Sequence, residues 1–337
     1  MIQRARTRRA RVVFLAAVLV LLVMIVASLA LGARAIAPGV IVDAFLRPDP
    51  ALADHVVVLS QRVPRTIIGV VAGAALALAG TLMQGLTRNP LADPGLLGIN
   101  AGASVAVLVA ITVLGITNPG GFVWFAFGGA AVAAAAVAVI GSRGPDGGNP
   151  AKLALTGAAV TAGLTAVTML VLTTSTLAFD TFRYWSVGGL TSRGLDAVVA
   201  VLLPLLVGAV IAFSSGRGLD LIALGESTAA GLGHNVARTR SLGIVATVLL
   251  CGGATAIAGP IVFLGLLVPH ALRALVGDDY RRLLLIGAPV GAAVLLLADV
   301  IGRFIGSPGE IQAGVVVAFV GAPVLIALVL RKKQVAL

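Results

Sequence analysis

The residues of this chain that could do chemistry are thirteen carboxylates, three histidines and one cysteine, and their spacing supports neither catalysis nor a metal site. His55, His234 and His270 are far apart in sequence and fall in loops or at the ends of apolar runs, where histidine is ordinarily a surface or interface residue. There is no HExxH zinc helix, no GxSxG nucleophile elbow and no GxxxxGK[ST] phosphate loop. Cys251 stands in an apolar run with no second cysteine to pair with, and reads as a small buried apolar residue. The carboxylates avoid the centres of the apolar runs. A proton-driven carrier keeps ionisable groups near the membrane midplane, so this distribution argues against one. No filter-like repeat or acid ring points to a channel. The chain is therefore not expected to be an enzyme, and any ATP hydrolysis that drives it belongs to another subunit.

The charged residues that do stand out are arginines. Arg62 and Arg65 lie three apart, just before the second apolar run, and share a helix face. Arg303 closes the ninth run, with Asp299 four residues earlier in the favourable acid-first order. On their own, such arginines read as interfacial anchors whose side chains snorkel to the membrane surface. A second feature is the segment 219–240. Leu219, Ile222, Ala223 and Leu224 form an apolar stripe, followed by Ala229, Ala230 and Leu232, and Gly231 and Gly233 punctuate it as a turn between two short helices would. An apolar element outside the bilayer either docks a protein or rests on the membrane.

The elements that position these residues follow from hydropathy. The 337 residues are 59% hydrophobic and only 11% charged, with a mean hydropathy of +1.10. A soluble domain of this size carries far more polar surface. Apolar runs fall at roughly 12–32, 64–86, 95–115, 120–141, 152–177, 195–214, 241–258, 260–275, 283–303 and 311–330. About 20 residues of helix cross the hydrocarbon core, and none of the runs alternates as a barrel strand would. The chain is predicted to be all-α: one transmembrane domain over 1–337 with about ten helices, a basic tail at 1–11 and a cytoplasmic segment at 217–240. The runs on either side of Ala258, Gly259 and Pro260 are short and read as two spans or one broken one. The first run exceeds a signal-peptide core, so an uncleaved helix is expected. With the N-terminus inside, inner loops hold 17 of the 24 lysines and arginines, which places both termini in the cytoplasm. The net charge of +11 then serves an anionic leaflet and needs no nucleic acid. Gly69/Gly73, Gly98/Gly102 and Gly287/Gly291 are spaced for close helix crossings.

Three segments are more specific than generic membrane sequence: RVPRTIIGVVAGAALALAGTLMQGLTRNPLADPGLLGINAGA at 62–103, LDLIALGESTAAGLGHNVARTR at 219–240, and the stretch from AGPIVFLGLLVPHALR at 258 through ADVIGR to GEIQAGVVVAFVGAPVLIALV from 309. In order and spacing they resemble the FecCD-type permeases of ATP-binding-cassette importers for iron–siderophore complexes, haem and vitamin B12. The resemblance covers roughly residues 56–330. It implies a permease in the bacterial inner membrane that works by alternating access, with ferric siderophore ahead of haem and cobalamin as cargo. It implies a second permease copy or homologue, two ATP-binding subunits that hold ATP and magnesium, and an extracytoplasmic substrate-binding protein; this chain would bind no cofactor. Leu224, Gly225, Glu226, Gly231, Leu232, Gly233 and Asn235 fall in the segment that couples to the ATPase. Arg62, Arg65 and Arg303 fall where the binding protein docks. The inner gate falls at Asn149 and Pro150, where the family often carries small hydroxyl residues and this chain departs. Phe179, Phe182, Tyr184 and Trp185 read as an outer aromatic belt.

Overall fold

The structure, a computed structural model, describes residues 2–32, 34–143, 150–191, 194–306 and 309–335. In chain order, α1 (Ile2–Ala30) is followed by α2 (Pro38–Leu46), α3 (Ala53–Val57), a π-helical turn (Val58–Arg62) and α4 (Val63–Thr87). Then come α5 (Ile99–Thr112), α6 (Phe122–Ser142), α7 (Pro150–Thr174), α8 (Thr176–Ser186), α9 (Leu195–Ala223), α10 (Glu226–Gly231), α11 (Val236–Ala258), α12 (Leu264–Val276), α13 (Tyr280–Ile305) and α14 (Ala313–Val335). Among the described residues there is no strand. The helices matching the ten apolar runs divide into two groups. Seven are long and apolar enough to cross a membrane: α1, α4 with the turns before it, α6, α7, α9, α11 and α13. Among the residues whose side chains are described, the apolar stretches of α5, α12 and α14 are shorter. We call the end carrying α8 and the C-terminus of α1 outer, and the end carrying α10 inner, following the loop charges.

The run around 258–263 is broken into two helices. Gly259 has φ of 75° and Phe263 has φ of 67°, a left-handed conformation that ends one helix and starts the next. Unwound backbone at this depth must be satisfied by protein. The loop after α8 does so in part, the Gly189 N–H donating to the Ala258 carbonyl at 2.8 Å, and the same loop is tied to α14 where Gly188 accepts from the Gly314 N–H at 2.9 Å. Helices α9 and α11 also outrun their apolar stretches toward the inner end, reaching 223 and starting at 236. Hydropathy marks the part of a helix that meets lipid, not the turns that continue beyond it.

At the centre is α4, with 78% of its apolar window buried, against α13, α11, α12 and α9. Its small residues permit backbone-to-backbone contact. A Cβ on Gly73 would stand 2.5 Å from the Gly291 carbonyl oxygen on α13, and one on Gly80 would stand 1.8 Å from that of Gly265 on α12. Gly102 and Gly129 make the same crossing between α5 and α6. Each expected glycine pair thus contributes one crossing residue. Gly69 instead faces the Leu296 side chain, Gly98 starts α5 with φ of 71°, and Gly287 has room to spare.

Gly80→Ala should therefore lower the melting temperature of the detergent-purified chain, at a cost of roughly 1–3 kcal/mol from forced separation of α4 and α12. Gly128→Ala, whose new methyl would meet nothing within 4 Å, should leave it unchanged. Equal melting of both variants would show that the crossing tolerates a side chain.

Candidate functional site

The three expected outer arginines converge, and the structure turns them inward. Asp299, fully buried on α13, is the hub. Arg65 on α4 donates through Nε and Nη2 to both Asp299 oxygens, at 2.7–3.0 Å. Arg303, one turn along α13, donates Nε to Asp299 Oδ2 at 3.0 Å and places Nη2 on the same oxygen. Its Nη1 reaches the carbonyls of Ser28 and Leu31 at 2.8 and 2.7 Å. Arg62 donates to the carbonyls of Leu29, at 2.6 Å, and Arg34. The last carbonyls of a helix have no intrahelical donor and carry partial negative charge, so arginines suit the end of α1 on both counts. Ser28 and Thr66 hydroxyls, 2.8 Å apart, complete the contact between α1 and α4.

Arg62, Arg65 and Arg303 are 7%, 8% and 3% exposed. The expectation of three outward cations ready for docking does not describe this conformation. All three are engaged within the chain. The hub reaches the surface through Glu310, whose Oε2 accepts from Arg65 Nη1 at 2.7 Å and whose side chain is 31% exposed. Arg65 and Glu310 lie in a cleft of about 520 Å³ with Ser60, Gln61, Thr191 and Gly194. Sequence reading recovered the Asp299–Arg303 pair because it is local. It missed Glu310 and Ser28, which are 245 residues from Arg65 and 275 from Arg303 and leave no periodic trace.

At the inner end, the 219–240 segment contains one short helix where two were expected. Leu219 and Ile222 belong to α9 and are buried, with Leu219 near Gly85 and Tyr280, so they are not part of a partner-facing stripe. Asp220 Oδ1 accepts from the Tyr280 N–H at 2.8 Å, tying α9 to the start of α13. The segment then turns at Gly225, with φ of 107°, forms α10, and turns again at Gly233, with φ of 79°. Of the two glycines expected to punctuate the segment, Gly233 carries the turn, while Gly231 ends α10 with no left-handed torsion. Asn235 caps α11 by accepting from Arg238 N at 2.9 Å. Glu226 accepts from Arg240 at 2.6 Å and lies 3.6 Å from Arg88, at the turn after α4. Ala229 packs inward, while Leu224 and Leu232 are each 64% exposed. The two leucines flank α10 and leave a small exposed apolar surface at the inner end.

Of the expected gate, Asn149 lies outside the described residues, and Pro150 opens α7. The aromatic cluster divides on α8. Phe182 and Trp185 are buried, their rings tilted against each other with centroids 5.7 Å apart, whereas Phe179 and Tyr184 are exposed with Arg183 over the Tyr184 ring.

Comparison with known proteins bears on this geometry. Residues 20–331 match the profile of the FecCD transport family. The chain is 45% identical to the ferric enterobactin transport system permease FepD of Escherichia coli, over 94% of each protein. It is 40% identical to the siderophore transport system permease YfiZ of Bacillus subtilis, over 81% of this chain and 82% of the relative. It is 36% identical to the cobalamin import permease BtuC of Halobacterium salinarum, over 83% and 75%. Among solved structures, a metal-chelate type ABC transporter in an inward-facing conformation superposes with a TM-score of 0.82 at 27% identity, covering 94% of this chain and 98% of that one.

The hub geometry makes a graded prediction. Asp299→Asn removes the buried charge that two guanidinium groups share and should cost about 3–5 kcal/mol. Glu310→Gln removes only a rim partner and should cost about 0–1 kcal/mol. Thermal unfolding of the two purified variants checks this. Equal destabilisation would mean the hub is not the load on which α1, α4 and α13 meet.

Proposed function

The chain belongs to the FecCD transport family, and we propose that this ATP-binding-cassette importer permease carries ferric siderophores across a bacterial inner membrane. The observation that carries the reading is the 45% identity, across nearly its full length, to a ferric enterobactin permease. The permease contributes geometry rather than covalent chemistry. Of the two ATP-binding subunits, one seats on α10 and the exposed Leu224 and Leu232 of this chain and the other on the second permease. Their closure on ATP and magnesium is passed through Glu226, Arg88 and Arg240 to α4 and α11, and through Asp220 to α13. A second permease copy or homologue completes the pore. Helix α7 supports this: only 11% of its apolar window is buried, with Leu155, Met169 and Leu170 exposed. The start of α7, at Asn149 and Pro150, is the inner gate in this scheme. A ligand that favours one state shifts the pore only by its differential affinity for the two. The loaded binding protein supplies that difference outside, and ATP supplies it inside.

Docking of the binding protein must accommodate the inward-turned arginines. A carboxylate from outside meets the hub through the cleft at Glu310, where Arg65 Nη1 is held by the Glu310 carboxylate. We assign Glu310 as the internal acid that the docking acid displaces. Once that exchange starts, Arg62 and Arg303 provide the positive field behind it. Charge pairs of this kind set association rate and register more than raw affinity.

One transport experiment tests both parts. Membranes holding the permease with its ATPase and binding protein should take up radioiron as a ferric tricatecholate, in an ATP-dependent manner, in preference to cobalamin. Uptake of cobalamin alone would reassign the cargo. In the same assay, Glu310→Gln should lower the concentration of loaded binding protein needed for half-maximal uptake. An unchanged concentration would remove Glu310, and the exchange it implies, from docking.

A further inference from the structure

A second basic cluster lies at the inner end, on the side walled by α1. Arg9 of α1, Arg273 and Leu275 near the end of α12, Asp278 and Asp279 in the turn that follows, and Arg282 on α13 line a cleft of about 640 Å³. Two of the arginines are held in place. Arg273 donates Nη1 to the buried Gln84 side chain and lies 3.4 Å from Asp278. Arg282 Nε lies 3.2 Å from Asp279, whose carboxylate also caps α13 by accepting from the Arg282 N–H at 3.1 Å. Arg9 is exposed. The acids do not neutralise the site. Asp279 is engaged as a helix cap, and Asp278 is 86% exposed, where water screens it. Three guanidinium groups against two carboxylates leave the lining net positive, and Arg8 and Arg11 add to the field from the same stretch of α1.

What lies along the helices from this cleft is apolar and uncovered. Only 11% of the apolar window of α1 is buried, and Val12, Leu15, Leu19 and Leu22 form an exposed stripe that begins three residues after Arg9. Leu275 in the cleft wall and Leu285, one turn after Arg282, are exposed as well. A soluble anion uses the first of these features and not the second. A phospholipid uses both.

We propose that this cleft is a binding site for an anionic phospholipid, with Arg9, Arg273 and Arg282 around the phosphodiester and the acyl chains along the exposed faces of α1 and α13. Guanidinium forks match phosphate oxygens in pairs, and basic clusters between membrane helices at headgroup height select anionic lipids. The bound lipid would join α1 to the α12–α13 turn at a point where Arg273 already leads, through Gln84, into α4. The inference needs only that α1 is a membrane helix, and is independent of the cargo.

The test is lipid retention by the purified full-length chain in mild detergent. The protein is equilibrated with equal amounts of phosphatidylglycerol and phosphatidylcholine and analysed by native mass spectrometry. Wild type should retain phosphatidylglycerol preferentially. Arg9→Gln and Arg282→Gln should each reduce that preference about fivefold. Arg282→Lys should keep most of it, which separates loss of charge from loss of fold. Arg143→Gln, the same charge change on an exposed loop residue, should keep all of it. Inorganic phosphate at equal concentration should not displace the lipid. The proposal is overturned if the two lipids are retained equally, if the Arg9 and Arg282 variants match wild type, if Arg143→Gln loses as much as they do, or if phosphate competes.

Discussion

The rest of the structure depends on helix α4 being thin enough to touch its neighbours backbone to backbone. Lipid gives no hydrophobic drive for helices to associate, so packing density and polar contacts must hold them together. Gly73 against Gly291 and Gly80 against Gly265 bring α13 and α12 to within carbonyl contact of α4. That approach places Arg65 on α4 beside Asp299 on α13, and Gln84 on α4 beside Arg273 on α12. Polar groups this deep are costly without partners, and only close helices can supply the partners. The glycine crossings and the polar contacts are therefore one design.

The two ends of the bundle use that rigidity differently. At the outer end, Arg62, Arg65, Arg303, Asp299 and the last carbonyls of α1 form a closed network with Glu310 at its rim. At the inner end, α10 is braced from three sides yet keeps two leucines outward. A push on α10 has routes to α4 and α11 through Glu226, and to α13 by way of Asp220 on α9. A permease needs this property: it must move as connected bodies when its partners change state.

Much of this was legible in sequence, for physical reasons. Each apolar run coincides with a helix, and seven of those helices have the length and hydropathy that bilayer thickness demands. Asp299 and Arg303 paired as expected because one helical turn joins them. The family was legible from three motif segments. What was not legible is non-local or torsional. Nothing near Arg65 in sequence says that Glu310 faces it, so three arginines that look like a docking patch prove to be occupied. Gly231 and Gly233 are two residues apart and chemically identical, and only the φ of 79° at Gly233 distinguishes the turn. The buried role of Leu219 and Ile222 depends on α9 continuing past its apolar stretch, which hydropathy does not register.

The central claim is that an ATPase acts on this permease through α10. A photo-crosslinking amino acid at position 232, replacing the exposed leucine, tests it in membranes where the permease and its partners are expressed together. The account predicts a crosslink to an ATP-binding-cassette subunit whose yield changes with nucleotide, and none from the same group at position 113, an exposed valine ending α5. A position 232 probe that captures no ATP-binding subunit, in membranes that still transport, would contradict it.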